Sequence, residues 1–541
     1  MSDRHAFAAT ALLLAIAAGS VVWPVLAQSP GQTVPPALPR VFLDTSYTPP
    51  SGRAIAVGAD GDLQAALNTA QPGDVIALEP GAVYRGSFAL PKKAGAGWIV
   101  VRSGAPDDKL PAPGTRVTPA FAPVLAKIVS PNSNPAVYTA AGAHHYRFVG
   151  IEFSTAESVK TTYSIVAFGG VQGSDADTPH DLILDRCYVH GHPGLSSSRG
   201  VLLNSASSAV IDSHVSEIHA VGADSQAVLG YNGPGPFKIV NNFLEGAAEN
   251  IMFGGADPRI PGLVPSDIEI RGNHLFKPLT WRPGDPRFAG VHWTVKNLLE
   301  LKNAQRVLIE GNLLENVWAT ALVLTPRNQD GTAPWSVVQD VLFRNNVVTN
   351  ATSGFAVQAS DDERRSQPVK RIAIVNNLWL GFTRTFFGMT APRGATLDDL
   401  VVDHNTAVPG GYSAYYVEAV APPAVVRFRM TNNIIGFGSF GVTFPKADAA
   451  MEKWLPGAII ARNALVSLGD TADGQGPTRN VPREISQAMY TSLVSAAAAG
   501  LNPDGTLTAK SPNRRTGTDG KDVGVDFDEL QRAMTGQPAR K

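Results

Sequence analysis

Apolar and polar positions alternate along most of the chain, and the alternation recurs as a ten-residue pattern. Apolar residues take its first and third positions, asparagine its sixth, and two or three apolar or small residues follow. The clearest copies are FKIVNNFLEG from Phe237, IEIRGNHLFK from Ile268, VLIEGNLLEN from Val307, VLFRNNVVTN from Val341, IAIVNNLWLG from Ile372, LVVDHNTAVP from Leu400, FRMTNNIIGF from Phe428 and AIIARNALVS from Ala458. This alternation predicts two short strands joined by a tight turn, where asparagine tolerates a left-handed backbone.

The spacing of these copies predicts how the strands are stacked. With two degenerate copies added at the start, the sixth positions are Cys187, His214, Asn242, Asn273, Asn312, Asn346, Asn377, Asn405, Asn433 and Asn463, at successive spacings of 27, 28, 31, 39, 34, 31, 28, 28 and 30 residues. A coil of this length cannot bury its own apolar face, so the coils must stack as a solenoid. If the coils stack about 4.8 Å apart, the side-chain amide of each asparagine can form a hydrogen bond with that of the next coil.

The asparagine ladder, the coil length and the segment 62–86 resemble the right-handed parallel β-helix of the pectate-lyase superfamily, over roughly residues 56–470. The resemblance implies an all-β, right-handed parallel β-helix. Leu63, Ala66 and Leu67 lie at helical spacing after Asp62, which predicts a short capping helix over the open N-terminal end of the stack. The ladder ceases after Asp470, and residues 471–541 are expected to form a C-terminal cap and tail.

The N-terminus predicts export. Arg4 and His5 precede an apolar run over residues 6–18, and Val25 and Ala27 supply small residues for a cleavage site. We therefore interpret residues 1–27 as a Sec-type signal peptide and expect a periplasmic or extracellular protein without stable membrane insertion. Residues 28–55, rich in proline, are expected to form an extended linker.

Composition narrows the class of protein. The 541 residues include 52 Gly and 41 Pro, and only 17% are charged, which suits a turn-rich β protein and excludes a coiled coil or helical bundle. A formal charge of −1 gives no field that would attract nucleic acid. The single cysteine excludes an intramolecular disulfide and a zinc site of paired cysteines. We expect a monomer.

The spacings of 39 and 34 residues after Asn273 predict extra loops beside adjacent coils. Trp281, Trp293, Lys296 and Asp330 lie in these loops. Aromatic faces and basic groups are suited to stacking on sugar rings and to holding uronate carboxylates. These four residues are therefore predicted to contact substrate. The alternative is that the tryptophans merely pack the loops onto the solenoid.

Strand parity predicts a polar groove. Within 297–303, Leu299 and Leu301 should face inward and Glu300 and Lys302 outward. Neighbouring coils aligned by their apolar residues are expected to present further polar side chains on the same face, namely Asn204, Gln226 and Asn250. These residues are predicted to bind an oligosaccharide. The alternative is an ordinary solvated face carrying an incidental ion pair.

The segment from Glu300 to Asn303, followed by Asn312 and then by Arg327 and Asp330, resembles the alginate lyases and chondroitinase B of polysaccharide lyase family six. The resemblance implies Lys302 as catalytic base and Arg327 as the group that assists proton transfer. It also implies calcium, bound by glutamate and asparagine, that neutralises the uronate. Asn303 stands where that family has serine.

These observations favour an exported polysaccharide lyase that acts on a uronic-acid-containing polysaccharide by β-elimination. A uronan C5-epimerase shares the first step, proton abstraction, and stays open. A non-catalytic glycan-binding or cell-envelope β-helix also stays open, because a fold does not fix a function. A column of His190, Glu217 and Glu245 three residues beyond the ladder suggests either acid–base or metal chemistry, or simply exposed turns.

Overall fold

The computed structural model describes residues 32–408, 410–438, 441–443, 445, 451–467 and 490–535. Within these residues the chain winds as a right-handed parallel β-helix, which confirms the predicted all-β fold. The strands of its long sheets pair in parallel with the equivalent strands of the coils before and after. Both the predicted signal peptide and residues 28–31 of the predicted linker lie outside the described residues.

The first sheet contains the strands that precede the asparagine turn. Its 14 strands are Ala54–Val57, Val75–Leu78, Ile99–Ser103, His144–Val149, His180–Asp185, Ala206–Ile211, Gly235–Val240, Ser266–Arg271, Ala304–Glu310, Val338–Arg344, Lys370–Val375, Leu397–Asp403, Val425–Thr431 and Ile459–Ala461. Their alternate apolar side chains, such as Val307 and Ile309, enter the central core of the solenoid.

The second and third sheets complete each coil. The second sheet consists of Val83–Arg85, Ala126–Ser130, Ile151–Thr155, Tyr188–His190, His214–Ile218, Phe243–Gly246, His274–Phe276, Leu378–Leu380, Thr406–Val408, Ile434–Phe437, Asn463–Ser467 and Tyr490–Ser495. The third consists of Phe88–Leu90, Val137–Thr139, Val166–Phe168, Arg199–Leu203, Gln226–Gly230, Glu249–Phe253, Leu299–Leu301, Thr385–Ala391, Ser413–Ala419 and Gly441–Thr443. Two long strands, Leu313–Leu324 and Val347–Gln358, run through both sheets. Thr161–Thr162 and Ser196–Ser197 form a separate pair.

Helices are short and lie outside the stack. The predicted capping helix is Leu63–Thr69; the Asp62 carboxylate accepts from the Ala65 N–H at 2.9 Å, and Leu63, Ala66 and Leu67 are buried. The other α-helices are Met451–Trp454 and Phe527–Ala533, and the 3-10 helices are Asp107–Lys109, Pro119–Phe121, Asp175–Asp177, Leu279–Trp281 and Pro392–Gly394. In the described part of the chain, no helix has the length and apolar character needed to span a bilayer.

The turn between the first and second sheets carries the expected ladder. From Asn242 to Asn463, each asparagine Nδ2 donates to the Oδ1 of the next ladder asparagine at 2.8–3.1 Å. The register predicted for His214 is wrong by one residue. Ser213 occupies the column: its Oγ accepts from the Cys187 N–H at 3.0 Å, and its N–H donates to Asn242 at 2.9 Å.

The chain segments at both ends run along the outside of the solenoid. Every third amide of the N-terminal segment donates to an aspartate at 2.9 Å: Val34 to Asp399, Ala37 to Asp340 and Arg40 to Asp267. Each of these aspartates lies two coils nearer the N-terminal end of the stack than the one before. The spacing of the amides fits the spacing of the aspartates. Three residues in an extended, polyproline II conformation would span about 9.3 Å, and two stacked coils span about 9.6 Å. At the other end, the described residues 490–535 add one strand and then run back beside the asparagine turns, where the Asp526 N–H donates to Asn376 at 2.7 Å.

Candidate functional site

The third sheet presents Glu300 and Lys302 on its outer face, as strand parity predicts. Leu299 and Leu301 are buried in the central core, and Glu300 lies in register between Met252 and Val323 of the neighbouring strands. The Lys302 Nζ is 3.5 Å from the Glu300 Oε1, with the two side chains 15% and 7% exposed. Asn297 holds the other carboxylate oxygen through its Nδ2, at 3.0 Å. The lysine head group is therefore fixed beside a carboxylate at the sheet surface.

Two glycines make room for this lysine. Gly254 and Gly255 have φ values of +96° and +84°, in the left-handed region that favours glycine. A Cβ added at Gly254 would lie 2.8 Å from the Lys302 Cβ and 2.5 Å from the Asn303 nitrogen. The close approach of the two coils at Lys302 thus depends on glycine at position 254.

Arg327 follows Lys302 one coil further along the stack. Its backbone N–H donates to the Lys302 carbonyl at 2.9 Å, while its Nη1 contacts Asp361 at 3.1 Å and Asp362 at 2.7 Å. Both ion pairs use the same nitrogen, so among the described residues Nε and Nη2 are left to bind an anion. Asp330 is exposed, and its backbone N–H donates to the Asp257 carboxylate at 3.0 Å.

The three amide residues do not face outward as expected. Asn204, Gln226 and Asn250 are each 0% exposed. The Asn250 Nδ2 donates to the carbonyls of Leu244 at 2.7 Å and Phe276 at 2.9 Å, because Asn250 lies where the chain turns into the third sheet and strict alternation breaks down. The Asn204 Nδ2 donates to the Gly170 carbonyl at 2.9 Å. The Gln226 Nε2 instead donates to the Glu249 carboxylate of the next strand at 2.7 Å. The predicted role of these three amides in substrate binding therefore has no exposed atom to serve it.

The insertion 277–298 covers the corner between the second and third sheets. Beneath it lies a group of buried polar residues that we call the charged corner: His219, Glu245, Glu249, Asn250 and Lys277. The Lys277 Nζ donates to the carbonyls of three consecutive residues, Gly246, Ala247 and Ala248, at 2.6, 2.8 and 3.2 Å. The insertion therefore begins with a cation that fixes the turn of the preceding coil.

Burial shifts the titration of the charged corner. Burial, followed by the negative charge of Glu217, raises the pKa of Glu245 to about 8. Burial, followed by the charge of Glu300, raises the pKa of Glu249 to about 8. Burial also lowers the pKa of Lys277 to about 7, against the attraction of both carboxyls. Groups shifted in this way by burial and by a specific charge are typical of functional sites.

The loop tryptophans both contact His219. Trp293 stacks on the imidazole with ring centroids 3.8 Å apart, and Trp281 meets it edge-on at 5.2 Å. Trp281 is 5% exposed, so its ring is packed against the corner, whereas Trp293 is half-buried. The Lys296 Nζ pairs with Asp224 at 2.6 Å. The loop is thus held against the solenoid by the contacts of its two tryptophans with His219 and by the ion pair of Lys296.

A row of polar atoms on the third sheet lacks protein partners. Arg199, Gln226 and Glu249 follow one another in register on successive strands. Among the described residues, the Arg199 Nε and Nη1, the Gln226 Oε1 and the Glu249 Oε1 are buried without a hydrogen bond. Buried polar atoms are normally paired, so this row, whose Glu249 feels the charges of Glu300 and Lys302, is unusual.

Sequence reasoning missed Glu249 and Lys277. Lys277 was visible as the first residue after the strand His274–Phe276, at the start of the longest insertion, but nothing in the pattern showed that it is buried. Of the column expected beyond the ladder, Glu217 and Glu245 do meet, since the Glu217 N–H donates to the Glu245 Oε1 at 2.9 Å. His190 instead pairs with Glu152 at 3.2 Å.

A cavity of about 600 Å³ lies elsewhere, under the C-terminal segment beside His404 and Phe527. His404, Arg514 and Lys521 each pair with an aspartate there, at 3.2, 3.1 and 3.5 Å. Their charges are therefore used to hold the segment in place. The third-sheet face around Lys302 is the better candidate for chemistry.

No family model matches the chain, and no curated protein matches it in sequence. Its structure is similar to a mannuronic acid specific polysaccharide family 6 lyase from human gut microbiota, with 12% identity, 82% of this chain and 91% of that chain covered, and a TM-score of 0.45. It is also similar to the catalytic unit of a GH87 alpha-1,3-glucanase from Streptomyces thermodiastaticus strain HF3-3, with 12% identity, coverages of 76% and 69%, and a TM-score of 0.47. Pectate lyase Pel9A shares 11% identity, with coverages of 87% and 96% and a TM-score of 0.31. At such low similarity, any activity has to be argued from the residues of this chain.

Proposed function

We propose that the protein is an exported polysaccharide lyase that cleaves a uronic-acid-containing polysaccharide by β-elimination. The observation that carries the proposal is the Lys302 head group, placed 3.5 Å from Glu300 on the outer face of the third sheet. In the described part of the chain, the Lys302 Nζ makes no closer polar contact. This geometry supports a role for Lys302 in proton exchange with a bound sugar.

Each residue has a separate role in this proposal. Lys302, acting as the free amine, takes the C5 proton of the uronate and becomes an ammonium group. The enolate-like carboxylate that results is stabilised by the positive charge of Arg327. Asp361 and Asp362 fix the Arg327 guanidinium, whose remaining nitrogens bind the carboxylate as a planar fork. The bond from C4 to the leaving oxygen then breaks, the leaving oxygen takes a proton from solvent water, and an unsaturated uronate remains. Trp293, Lys296 and Asp330, on the two adjoining loops, are assigned to substrate binding in this proposal.

The resemblance to family six lyases also implies calcium, and the donor chemistry beside Lys302 fits it. Glu249 and Glu300 supply carboxylates, while Gln226 and Asn297 supply amide oxygens, and calcium prefers oxygen ligands. Two of these oxygens, the Gln226 Oε1 and the Glu249 Oε1, are buried without a partner among the described residues. When bound, the cation would neutralise the uronate carboxylate.

The test is to incubate the protein with alginate, pectate, chondroitin and heparin and to record the ultraviolet absorbance of an unsaturated uronate. Lys302→Ala should lower turnover about 10²- to 10⁴-fold, the usual contribution of a general base, while oligosaccharide binding persists. Arg327→Lys should also lose turnover, because the point charge of a lysine does not replace the planar, two-pronged guanidinium group. Lys127→Ala is the matched control, since Lys127 pairs with Glu152 at 2.9 Å on the second sheet.

The outcomes separate the alternatives. Full activity in Lys302→Ala would exclude this site. A changed uronate configuration without an unsaturated product would identify a C5-epimerase, and retardation of a glycan on a gel without either product would identify a binding protein.

A further inference from the structure

Four side chains with metal-binding chemistry lie at the start of two neighbouring strands of the first sheet. His144 and His145 begin one strand, and His180 and Asp181 begin the next. The register pairs His144 with His180, and His145 and Asp181 share a left-handed backbone, with φ values of 61° and 54°. Successive coils therefore present a two-by-two array of three imidazoles and one carboxylate.

The Nδ1 atoms of this array converge on the carboxylate. The His180 Nδ1 is 2.6 Å from the Asp181 Oδ2, and the His145 Nδ1 is 3.8 Å from the same oxygen. One ligand atom from each of these three residues lies within 4.8 Å of the others. A zinc ion binds nitrogen and oxygen at about 2.0–2.2 Å, which separates its ligands by about 3–4 Å. The observed distances span that separation, so side-chain rotations alone would close the site.

His144 is held by a backbone carbonyl and forms a hydrogen bond with His145. Its Nε2 lies 3.0 Å from the Lys93 carbonyl, which can only accept a hydrogen bond, so Nε2 carries the proton and Nδ1 keeps a lone pair. That Nδ1 lies 2.8 Å from the His145 Nδ1, which therefore carries the proton of this hydrogen bond. A metal ion bound at the His145 Nδ1 would displace this proton. A backbone carbonyl that fixes the tautomer of an imidazole is a common outer partner of a metal ligand.

The array differs from the other histidine pairs of the described chain. His190, His219, His274 and His404 each face one carboxylate, which is an ordinary ion pair or hydrogen bond. At the array, the side chains of His145, His180 and Asp181 are 23%, 41% and 33% exposed. An ion from solvent can therefore reach them without unfolding of the sheet.

We propose that His145, His180 and Asp181 bind a divalent transition-metal ion of the zinc class, with His144 as the neighbouring support. Imidazole nitrogen favours zinc, copper and nickel, whereas calcium and magnesium select oxygen. The ion ties two successive coils of the first sheet together. This site is independent of the proposed lyase chemistry, which uses the third sheet.

The experiment is a calorimetric titration. Zinc chloride is added to EDTA-treated, dialysed protein that carries no histidine tag, and the heat of binding is measured. The wild type should bind one Zn²⁺ per chain, and Co²⁺ in its place should give visible ligand-field absorption. His180→Ala should weaken zinc binding at least about ten-fold. Asp181→Asn should do the same without disturbing the backbone, because asparagine tolerates the left-handed region.

The matched control is His274→Ala, which removes a histidine paired with Glu315 at 2.9 Å on the second sheet. This variant should bind zinc like the wild type, and zinc should raise the melting temperature of both but not of the two array variants. If the wild type takes up no zinc, or if Asp181→Asn and His180→Ala bind it as tightly as the wild type, the proposal is wrong.

Discussion

Two corners of the same coil bury polar side chains in opposite ways. At the asparagine turn, the buried groups are neutral amides, and each one bonds the coil before and the coil after. At the charged corner, the buried groups are ionisable, and the His219 Nδ1 and the Asn250 Oδ1 have no partner among the described residues. The first arrangement repeats along the stack, and the second depends on the single insertion 277–298.

The difference separates stability from chemistry. A neutral amide ladder satisfies buried donors and acceptors at little electrostatic cost, whereas buried charges are expensive unless they are paired. The charged corner is coupled to Glu300 and Lys302, because the charges of both act on the Glu249 carboxyl. We therefore expect changes at the ladder to alter folding alone, and changes at the charged corner to alter titration and substrate binding as well.

The largest expected effect concerns the two tryptophans over His219. Trp281→Ala should lower the free energy of unfolding by about 3–5 kcal/mol, because the buried ring leaves a cavity. Trp293→Ala, at a half-buried ring, should cost less stability and raise the Michaelis constant. Thermal melts and steady-state kinetics measure these effects, with half-buried Trp318→Ala as the control. A Michaelis constant unchanged in Trp293→Ala would leave only the packing role for that ring.

The next effect tests the ladder. Asn346→Ala removes an amide that accepts from Asn312 and donates to Asn377, which leaves buried groups unpaired. It should cost about 1–3 kcal/mol in the free energy of unfolding, measured by urea denaturation. The exposed Asn68→Ala in the capping helix is the control and should change stability little. Equal losses in both variants would show that the ladder is not a special source of stability.

A pH series distinguishes the two corners directly. The pKa of Glu245 is raised from 4.5 to about 8, so the folded state holds a proton that the unfolded chain releases. Stability should therefore fall as the pH rises through this window, by up to about 1.4 kcal/mol per pH unit. Glu245→Gln should remove the contribution of Glu245 to this slope and leave that of Glu249, whose pKa is also raised to about 8. Asn346→Ala should instead lower the whole curve without changing its slope. The exposed Glu418→Gln is the control, and an unchanged slope in Glu245→Gln would contradict the assignment.

The smallest effect concerns Cys187, which lies in the ladder column. Its thiol is 0% exposed, and burial raises its pKa to about 12. We expect the thiol not to react with a chromogenic thiol reagent in the native protein. In denaturant, one thiol per chain should react, and absorbance measures both results. Rapid labelling of the native protein would show that the N-terminal part of the ladder opens easily.

The sequence by itself determined the solenoid. Apolar and polar residues alternate on either side of a recurring asparagine, and this alternation specifies which side chains are buried. A single coil cannot cover its own apolar side chains, so the coils bury them by stacking. It also located Glu300 and Lys302 on the outer face, because Leu299 and Leu301 have no other place than the core. The one-residue register error at His214 arose because Ser213 occupies the ladder position, so the asparagine that identifies this position elsewhere is missing.

Only the tertiary structure decided what happens at the corners. Asn204, Gln226 and Asn250 look like surface amides in the sequence, yet all three are buried. Asn204 and Asn250 bond backbone carbonyls, and Gln226 bonds the Glu249 carboxylate of the next strand. Lys277 and Glu249 are brought together by an insertion whose path no periodicity encodes. The array of His145, His180 and Asp181 likewise depends on the register between two coils, which places residues distant in sequence side by side. Periodicity fixes the regular part of a repeat, whereas contacts between loops and coils fix its chemistry.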